Sequence, residues 1–136
     1  MRNRGWMVMA AMLLASCSPG ADLPLGDKAI EAFHADMNAG RFAAIYDASG
    51  KEMKSATTRE GLTKLLAAIH GKLGPFKSGS RNGWNDNVNT NGHFLTLNYS
   101  ATYQKGAGEE EFVYRIEGGK AVLIGYHINS QALITN

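Results

Sequence analysis

The chain has 136 residues, a formal net charge of +2 and a single cysteine. That length favours one domain, and one cysteine excludes both an intrachain disulfide framework and a metal site built from several cysteines. Charged residues make up 19% and hydrophobic residues 44% of the chain, so the composition excludes a disordered polyelectrolyte.

The first residues predict export from the cytoplasm. Arg2 and Arg4 precede an apolar run of ten residues at 6–15, and small residues follow. This three-part order is typical of a secretory signal. The run is too short to cross a bilayer core of about 30 Å as a helix.

Residues 14–17, Leu-Ala-Ser-Cys, resemble the lipobox of bacterial lipoproteins. The resemblance implies cleavage before Cys17, lipid on its sulfur and acylation of its new amino group. Several acyl chains anchor a protein stably where one chain gives only marginal binding. Ser18, by resemblance to the sorting rule of enteric bacteria, implies the outer membrane, facing the periplasm. The alternative is an ordinary signal with a chance cysteine, which leaves a free thiol on an exported protein.

We therefore predict a signal peptide at 1–16, a lipidated tether at 17–26 and a single domain at 27–136. Cleavage removes Arg2 and Arg4, which lowers the number of basic residues from 14 to 12. This number equals that of the acidic residues, which is 12, so the formal net charge of the mature chain is zero. A neutral mature chain without a basic cluster lacks the charge that phosphate neutralisation needs, so no nucleic-acid partner is expected.

The first half of the domain has helical spacing. Asp27 is the expected N-cap of a first helix whose apolar face holds Ile30, Phe33 and Met37. A short helical turn is expected at 41–46.

A loop is expected at 47–55, followed by another helix. Thr57 and Glu60 match a capping box, in which each side chain accepts from the other residue's free amide. The apolar face of that helix is then Leu62, Leu65, Leu66 and Ile69, and Gly74-Pro75 ends it.

The second half alternates apolar and polar residues, as half-buried antiparallel strands do. Turn signals at Asn91-Gly92, Gly106-Ala107 and Gly118-Gly119 separate the strand segments 76–90, 93–105, 109–117 and 120–129. Helices followed by a four-strand antiparallel meander predict an α+β domain.

Two-residue turns at these signals predict the register and the two faces of the sheet. The inner face, on which the helices should pack, is predicted to hold Trp84, Val88, Leu95, Leu97, Tyr99, Phe112, Tyr114, Ile116 and Leu123, with Gly125 among them. The outer face is predicted to hold Val113, Val122, Ile124 and Tyr126. An apolar patch of this kind suits a homodimer surface.

Residues 29–128 resemble the nuclear transport factor 2-like superfamily, also called ketosteroid-isomerase-like or cystatin-like. The similarity lies in residues 37–42 closing the first helix, the cap at Thr57 and Glu60, and residues 125–128 on the last strand. It implies helices packed on a bent, cone-like sheet. Members include dehydratases, isomerases and inert binding or dimerisation modules, so this fold does not fix the function.

Glu110 is the first candidate for chemistry. The predicted register places Tyr103 and His127 opposite it on the inner face, near the Gly106-Ala107 turn. A Glu–His pair shielded from water can act as a general base. The alternative is a solvated ion pair at the rim of the sheet, worth about 0.2–1 kcal/mol.

Asp86 is the second candidate, because the alternation turns it inward, opposite Leu97. A buried carboxylate must find donors or take up a proton, and the resemblance implies that an acidic residue inside the pocket can serve as the base. The alternative is a β-bulge in the Asn- and Gly-rich stretch 81–91, which would turn Asp86 into solvent.

Aromatic residues at alternate positions suggest a ligand pocket or, alternatively, simple core packing. The candidate ligand-binding residues are Tyr46, Trp84, Tyr99, Tyr103 and Tyr114. His34, His70 and His93 are expected on the surface. No spacing indicates a metal site, and no motif indicates a cofactor.

The sequence thus favours a membrane-anchored module of the bacterial cell envelope that binds a small apolar ligand or a protein partner without catalysis. The competing hypothesis is a dehydratase- or isomerase-type enzyme with Asp86 or the Glu110–His127 pair as base.

Overall fold

The computed structural model describes residues 18–136. The predicted signal and the lipid attachment residue Cys17 lie outside the described residues. Across residues 18–136, no helix combines the length and the apolar character that crossing a membrane requires.

Helices precede the strands along the described chain. The helices are α1 Leu23–Asn38, α2 Phe42–Ala48, α3 Lys51–Ala56, α4 Arg59–Leu73 and α5 Ala132–Thr135. The strands are β1 Phe76–Asn89, β2 Gly92–Tyr103, β3 Gly106–Glu117 and β4 Lys120–Asn129. They form one antiparallel sheet in the order β1-β2-β3-β4. The α+β prediction, with helices packed on a four-strand meander, is confirmed.

Two helices differ from the expected structure: α1 begins earlier, and α3 lies where a loop was expected. Helix α1 begins at Leu23 rather than after Asp27, with Pro24 in its first turn, where a missing N–H costs nothing. It therefore overlaps the predicted tether. Helix α3 occupies most of the predicted loop at 47–55. Its one buried residue is Met53, and a single apolar position carries no periodicity that the sequence could reveal.

The cap of α4 is one residue later than predicted. The Thr58 side chain, not that of Thr57, accepts a hydrogen bond from the Gly61 amide at 3.0 Å. The helix buries Leu62, Leu66 and Ile69 as expected. Leu65 is exposed, so the apolar face is narrower than the sequence pattern suggests.

Two hairpin turns keep two residues but lie earlier in the chain than predicted, at 90–91 and 104–105, so each register shift is an even number of residues. Tyr103 pairs with Gly106, so the β2–β3 turn lies at 104–105. Asp86 pairs with Leu95 instead of Leu97. An even shift changes the partners and keeps every side chain on its predicted face.

A β-bulge in β4, opposite Val113 and Tyr114, changes the β3–β4 ladder, and Ile124 is its extra residue. Tyr114 opposes Leu123 as predicted, but beyond the bulge Phe112 opposes Tyr126. One extra residue reverses the faces of the rest of the strand. Tyr126 therefore lies on the inner face, which corrects its predicted place outside.

The same bulge moves Gly125 and His127 to the outer face, opposite Val113 and Glu111. The predicted outer patch thus loses Tyr126, and Ile124 becomes the extra residue of the bulge. The two valines of the patch pair with polar residues, Val113 with Thr96 and Val122 with Arg115. A homodimer through this face stays a prediction.

The core lies between α1, α2 and α4 and the inner face of β2, β3 and β4. No residue of the edge strand β1 is fully buried. Trp84 and Val88 lie on their predicted face of the sheet, but they keep 44% and 69% of their surface exposed and do not join the core. Close approach of α1 to β2 occurs at Gly26, where an added Cβ would stand 2.5 Å from Leu97 Cδ1.

Candidate functional site

Glu110 on β3 lies at the centre of a buried polar cluster. Its Oε1 is 2.8 Å from His34 Nε2 on α1. Its Oε2 accepts hydrogen bonds from the hydroxyls of Tyr103 on β2, at 2.8 Å, and Tyr126 on β4, at 2.5 Å. The His34 and Glu110 side chains are 4% and 0% exposed. The cluster therefore joins one helix to three strands inside the core.

Burial raises the pKa of Tyr103 and Tyr126 well above the ordinary value, and the negative charge of Glu110 adds to the effect. Both phenols therefore remain protonated donors. The His34 ring stacks on Phe76 with 3.7 Å between centroids, which fixes its orientation. With three hydrogen-bond partners on its two oxygens, the buried carboxyl group of Glu110 is satisfied.

The predicted Glu110–His127 pair does not form. The β3–β4 bulge leaves Glu110 opposite Ile128 and turns His127 outward, where it is exposed. His34, which was expected on the surface, is buried and occupies the position beside Glu110 that was predicted for His127. The spacing of α1 contained the signal, because His34 follows Ile30 by four residues and therefore shares its buried face.

A separate apolar cavity of about 210 Å³ lies between α1, α2 and the β3–β4 hairpin. Small side chains provide much of its wall, and Tyr114 lies on the sheet side. The lining residues are Ala29, Ala32, Phe33, Asp36, Ile45, Ala48, Tyr114, Ala121 and Leu123. We call this the Tyr114 cavity. Asp36, its charged lining residue, is paired with Arg41 at 2.8 Å.

Tyr114 is 2% exposed. Within residues 18–136, its hydroxyl is the one buried side-chain oxygen or nitrogen without a hydrogen-bond partner. Burial, and secondarily the charge of Glu110, raises the pKa of Tyr114, so the hydroxyl keeps its proton. An unpaired buried hydroxyl costs about 1–3 kcal/mol. Tyr114 is also one of the residues that line the apolar cavity.

Asp86 lies on the inner side of β1, near the start of the described chain. Its Oδ1 is 2.6 Å from His93 Nε2 on β2, and its Oδ2 accepts from the Gly20 amide at 3.1 Å. Asp22 Oδ2 is 3.5 Å from the same histidine nitrogen. His93, expected on the surface, is partly buried by these contacts. The β1 bulge falls between Arg81 and Gly83, and Asp86 remains on the side of Leu95.

The other predicted ligand-binding aromatics do not line the Tyr114 cavity. Tyr46 donates to the Thr57 carbonyl at 3.2 Å, and Tyr103 donates to Glu110. Tyr99 packs at the edge of the core. An added Cβ at Gly20 would stand 3.2 Å from Trp84 Cη2, so that ring covers the segment before α1.

In comparisons with known proteins, no family model matches the chain, and no curated protein matches it significantly.

Proposed function

We propose that this protein is a membrane-anchored lipoprotein of the bacterial cell envelope whose domain binds a small apolar ligand in the Tyr114 cavity, without catalysis. The observation that carries the ligand site is a largely apolar cavity lined by Tyr114, whose buried hydroxyl has no hydrogen-bond partner and would turn toward a bound ligand. Anchoring through lipid on Cys17, at the outer membrane facing the periplasm, rests on the lipobox and Ser18.

The cavity limits the size and chemistry of the ligand. The cavity is open to solvent, because Ala32 and Ala48 in its wall are exposed. Its volume of about 210 Å³ suits one ring with a short substituent, since an enclosed apolar cavity of roughly 150 Å³ holds benzene. The phenol of Tyr114 donates a hydrogen bond. The ligand class is therefore a small, mostly apolar molecule with one carbonyl or ether oxygen.

A binding role fits the two candidate bases better than an enzymatic one. The Glu110 oxygens already have three hydrogen-bond partners, and the side chain is fully enclosed. Asp86 does not line the Tyr114 cavity. A base in either position lacks access to a ligand held beside Tyr114, so the dehydratase or isomerase hypothesis has less support.

We also propose that the fold is of the nuclear transport factor 2-like type. The order of elements supports this: helices precede a four-strand antiparallel sheet, and one sheet face covers the core. The bulge at Val113 and Tyr114 supports a bent sheet, since bulges bend strands.

The test compares two ligands of matching shape, acetophenone and α-methylstyrene, by calorimetric titration of the full chain in detergent. We expect saturable binding of acetophenone at one site per chain, with weaker binding of the olefin because it lacks the acceptor oxygen.

Ala29→Leu places three extra carbons at the cavity wall and should abolish binding. Ala35→Leu is the matched control, because Ala35 is an exposed residue of the same helix outside the cavity lining. Equal affinities in these two variants, with both folded by circular dichroism, would contradict the proposal.

A further inference from the structure

Outside the Tyr114 cavity, three side chains of types that can ligate a metal lie close together. Asp22 lies at the N-cap position of α1, Asp86 on β1 and His93 on β2. One donor atom from each side chain lies within 4.8 Å of the other two. The fold brings them together from positions 22, 86 and 93, so their spacing in the sequence does not predict the cluster.

The Asp86 carboxylate is held in place on both sides. It is 8% exposed, and its Oδ2 accepts the Gly20 amide while Oδ1 faces His93. A second partner that fixes the orientation of a ligating carboxylate is a regular feature of metal sites. Asp22 occupies a cap position, yet its side chain accepts no helix amide, and Oδ2 faces His93 instead.

Charge and space both favour a cation. Among residues 18–136, neither Asp22 nor Asp86 has an ion pair with lysine or arginine, and His93 is the partner of both. A cavity of about 390 Å³ adjoins the three side chains, with Ser18, Pro19, Ala21 and Val88 in its wall. It leaves room for water as a further ligand.

We propose that Asp22, Asp86 and His93 form a binding site for a first-row divalent cation of the zinc class. One imidazole nitrogen with two carboxylate oxygens is a donor set that such ions accept, and a fourth position remains for water. Ligand atoms around tetrahedral zinc are about 3.3 Å apart. His93 Nε2 and Asp86 Oδ1, now 2.6 Å apart, therefore separate by about 0.7 Å when the ion binds.

A bound ion would link the start of the described chain to the sheet. Residues 18–22 carry one ligand, Asp22, and the Gly20 amide that holds another. Metal binding would therefore fix the segment directly after Cys17 against β1 and β2. This site shares no lining residue with the Tyr114 cavity, so the two proposals are independent.

The test is a zinc titration of the chelator-treated full chain in detergent, with Cys17→Ala in every sample so that no thiol ligates the metal. We expect one zinc ion per chain and a rise in melting temperature on addition of zinc. Asp22→Asn and Asp86→Asn should each weaken binding at least tenfold.

His127→Gln is the control, because this exposed histidine on the outer face also neighbours a carboxylate, that of Glu111. It should leave the affinity unchanged. Should Asp86→Asn fail to fold, the more exposed Asp22→Asn and the cobalt absorption spectrum of the otherwise unchanged chain still decide. No saturable binding at millimolar zinc, or unchanged affinity in Asp22→Asn, would overturn the proposal and leave an ordinary ion-pair cluster.

Discussion

His34 Nε2 on α1 lies 2.8 Å from Glu110 Oε1 on β3, across 76 residues of sequence, with both side chains buried. Together with the Tyr103 and Tyr126 hydroxyls, this pair holds the first helix to the sheet through a single carboxylate. Because every buried donor around it depends on one acceptor, the cluster is sensitive to any change at Glu110.

Glu110→Ala should lower the free energy of unfolding by about 3–5 kcal/mol, because three buried donors lose their acceptor. Urea denaturation of the purified chain measures this. Glu111→Ala changes an exposed neighbour on the other face and should stay within about 0.5 kcal/mol of the parent. Comparable losses in the free energy of unfolding in both variants would mean that Glu110 contributes no more to stability than an exposed residue.

Alkaline pH should unfold the protein. Burial raises the pKa of Tyr103, Tyr114 and Tyr126, whereas in the unfolded chain each phenol ionises near pH 10. Above that pH the unfolded state binds fewer protons, so stability that is complete below pH 10 falls by up to about 1.4 kcal/mol per pH unit for each tyrosine.

Denaturation between pH 8 and pH 11 checks this slope, and Tyr114→Phe should reduce it by one tyrosine. If the tyrosinate absorbance of these three residues instead appears near pH 10 while near-ultraviolet circular dichroism stays native, the phenols are not buried as described.

The cap of α4 supplies a smaller test. Thr58→Ala should cost about 1 kcal/mol, because the Gly61 amide loses its acceptor. Thr57→Ala should cost less, since the Thr57 hydroxyl makes only a long 3.4 Å contact to the Thr58 carbonyl. A larger loss of thermal stability in Thr57→Ala than in Thr58→Ala would contradict the Thr58 cap and support the capping box predicted from the sequence.

Two helical glycines should respond in opposite directions to alanine. Gly26→Ala brings its Cβ to 2.5 Å from Leu97 Cδ1 and 2.9 Å from Leu95 Cδ2, so we expect a loss of about 1–3 kcal/mol from overpacking. Gly71→Ala meets nothing within 4 Å and should gain roughly 0.5–1 kcal/mol from helix propensity. Chemical denaturation of both variants checks the sign; a stabilised Gly26→Ala would rule out the close approach of α1 to β2.

Local pattern predicted the elements well, because helical spacing and strand alternation are properties of short segments. Asp86 and Tyr103 lie on their predicted sides of the sheet although their partners differ, since both hairpin shifts are even. The β4 bulge has one local signal, Gly125, because a glycine inside a strand suggests a bend, but a glycine does not show that the faces beyond it are reversed. The bulge places Tyr126 instead of His127 on the inner face, and for this reason the predicted Glu110–His127 pair does not form.

Contacts between distant segments leave no pattern in the sequence. Nothing in the spacing of residues 22, 86 and 93 brings them together; the antiparallel pairing of β1 with β2 and the path of the chain into α1 do so. The Tyr114 cavity likewise depends on how α1 and α2 sit over the β3–β4 hairpin. Tyr114 was a predicted ligand-binding residue, but its unpaired hydroxyl is a property of packing.

The most direct test of the proposed binding function is Tyr114→Phe, measured for both stability and affinity. We expect the free energy of unfolding to stay equal or rise by about 1 kcal/mol, since the substitution removes an unpaired buried hydroxyl. The affinity for acetophenone should fall several-fold while that for α-methylstyrene is unchanged. A Tyr114→Phe variant that binds acetophenone as tightly as the parent would contradict the account.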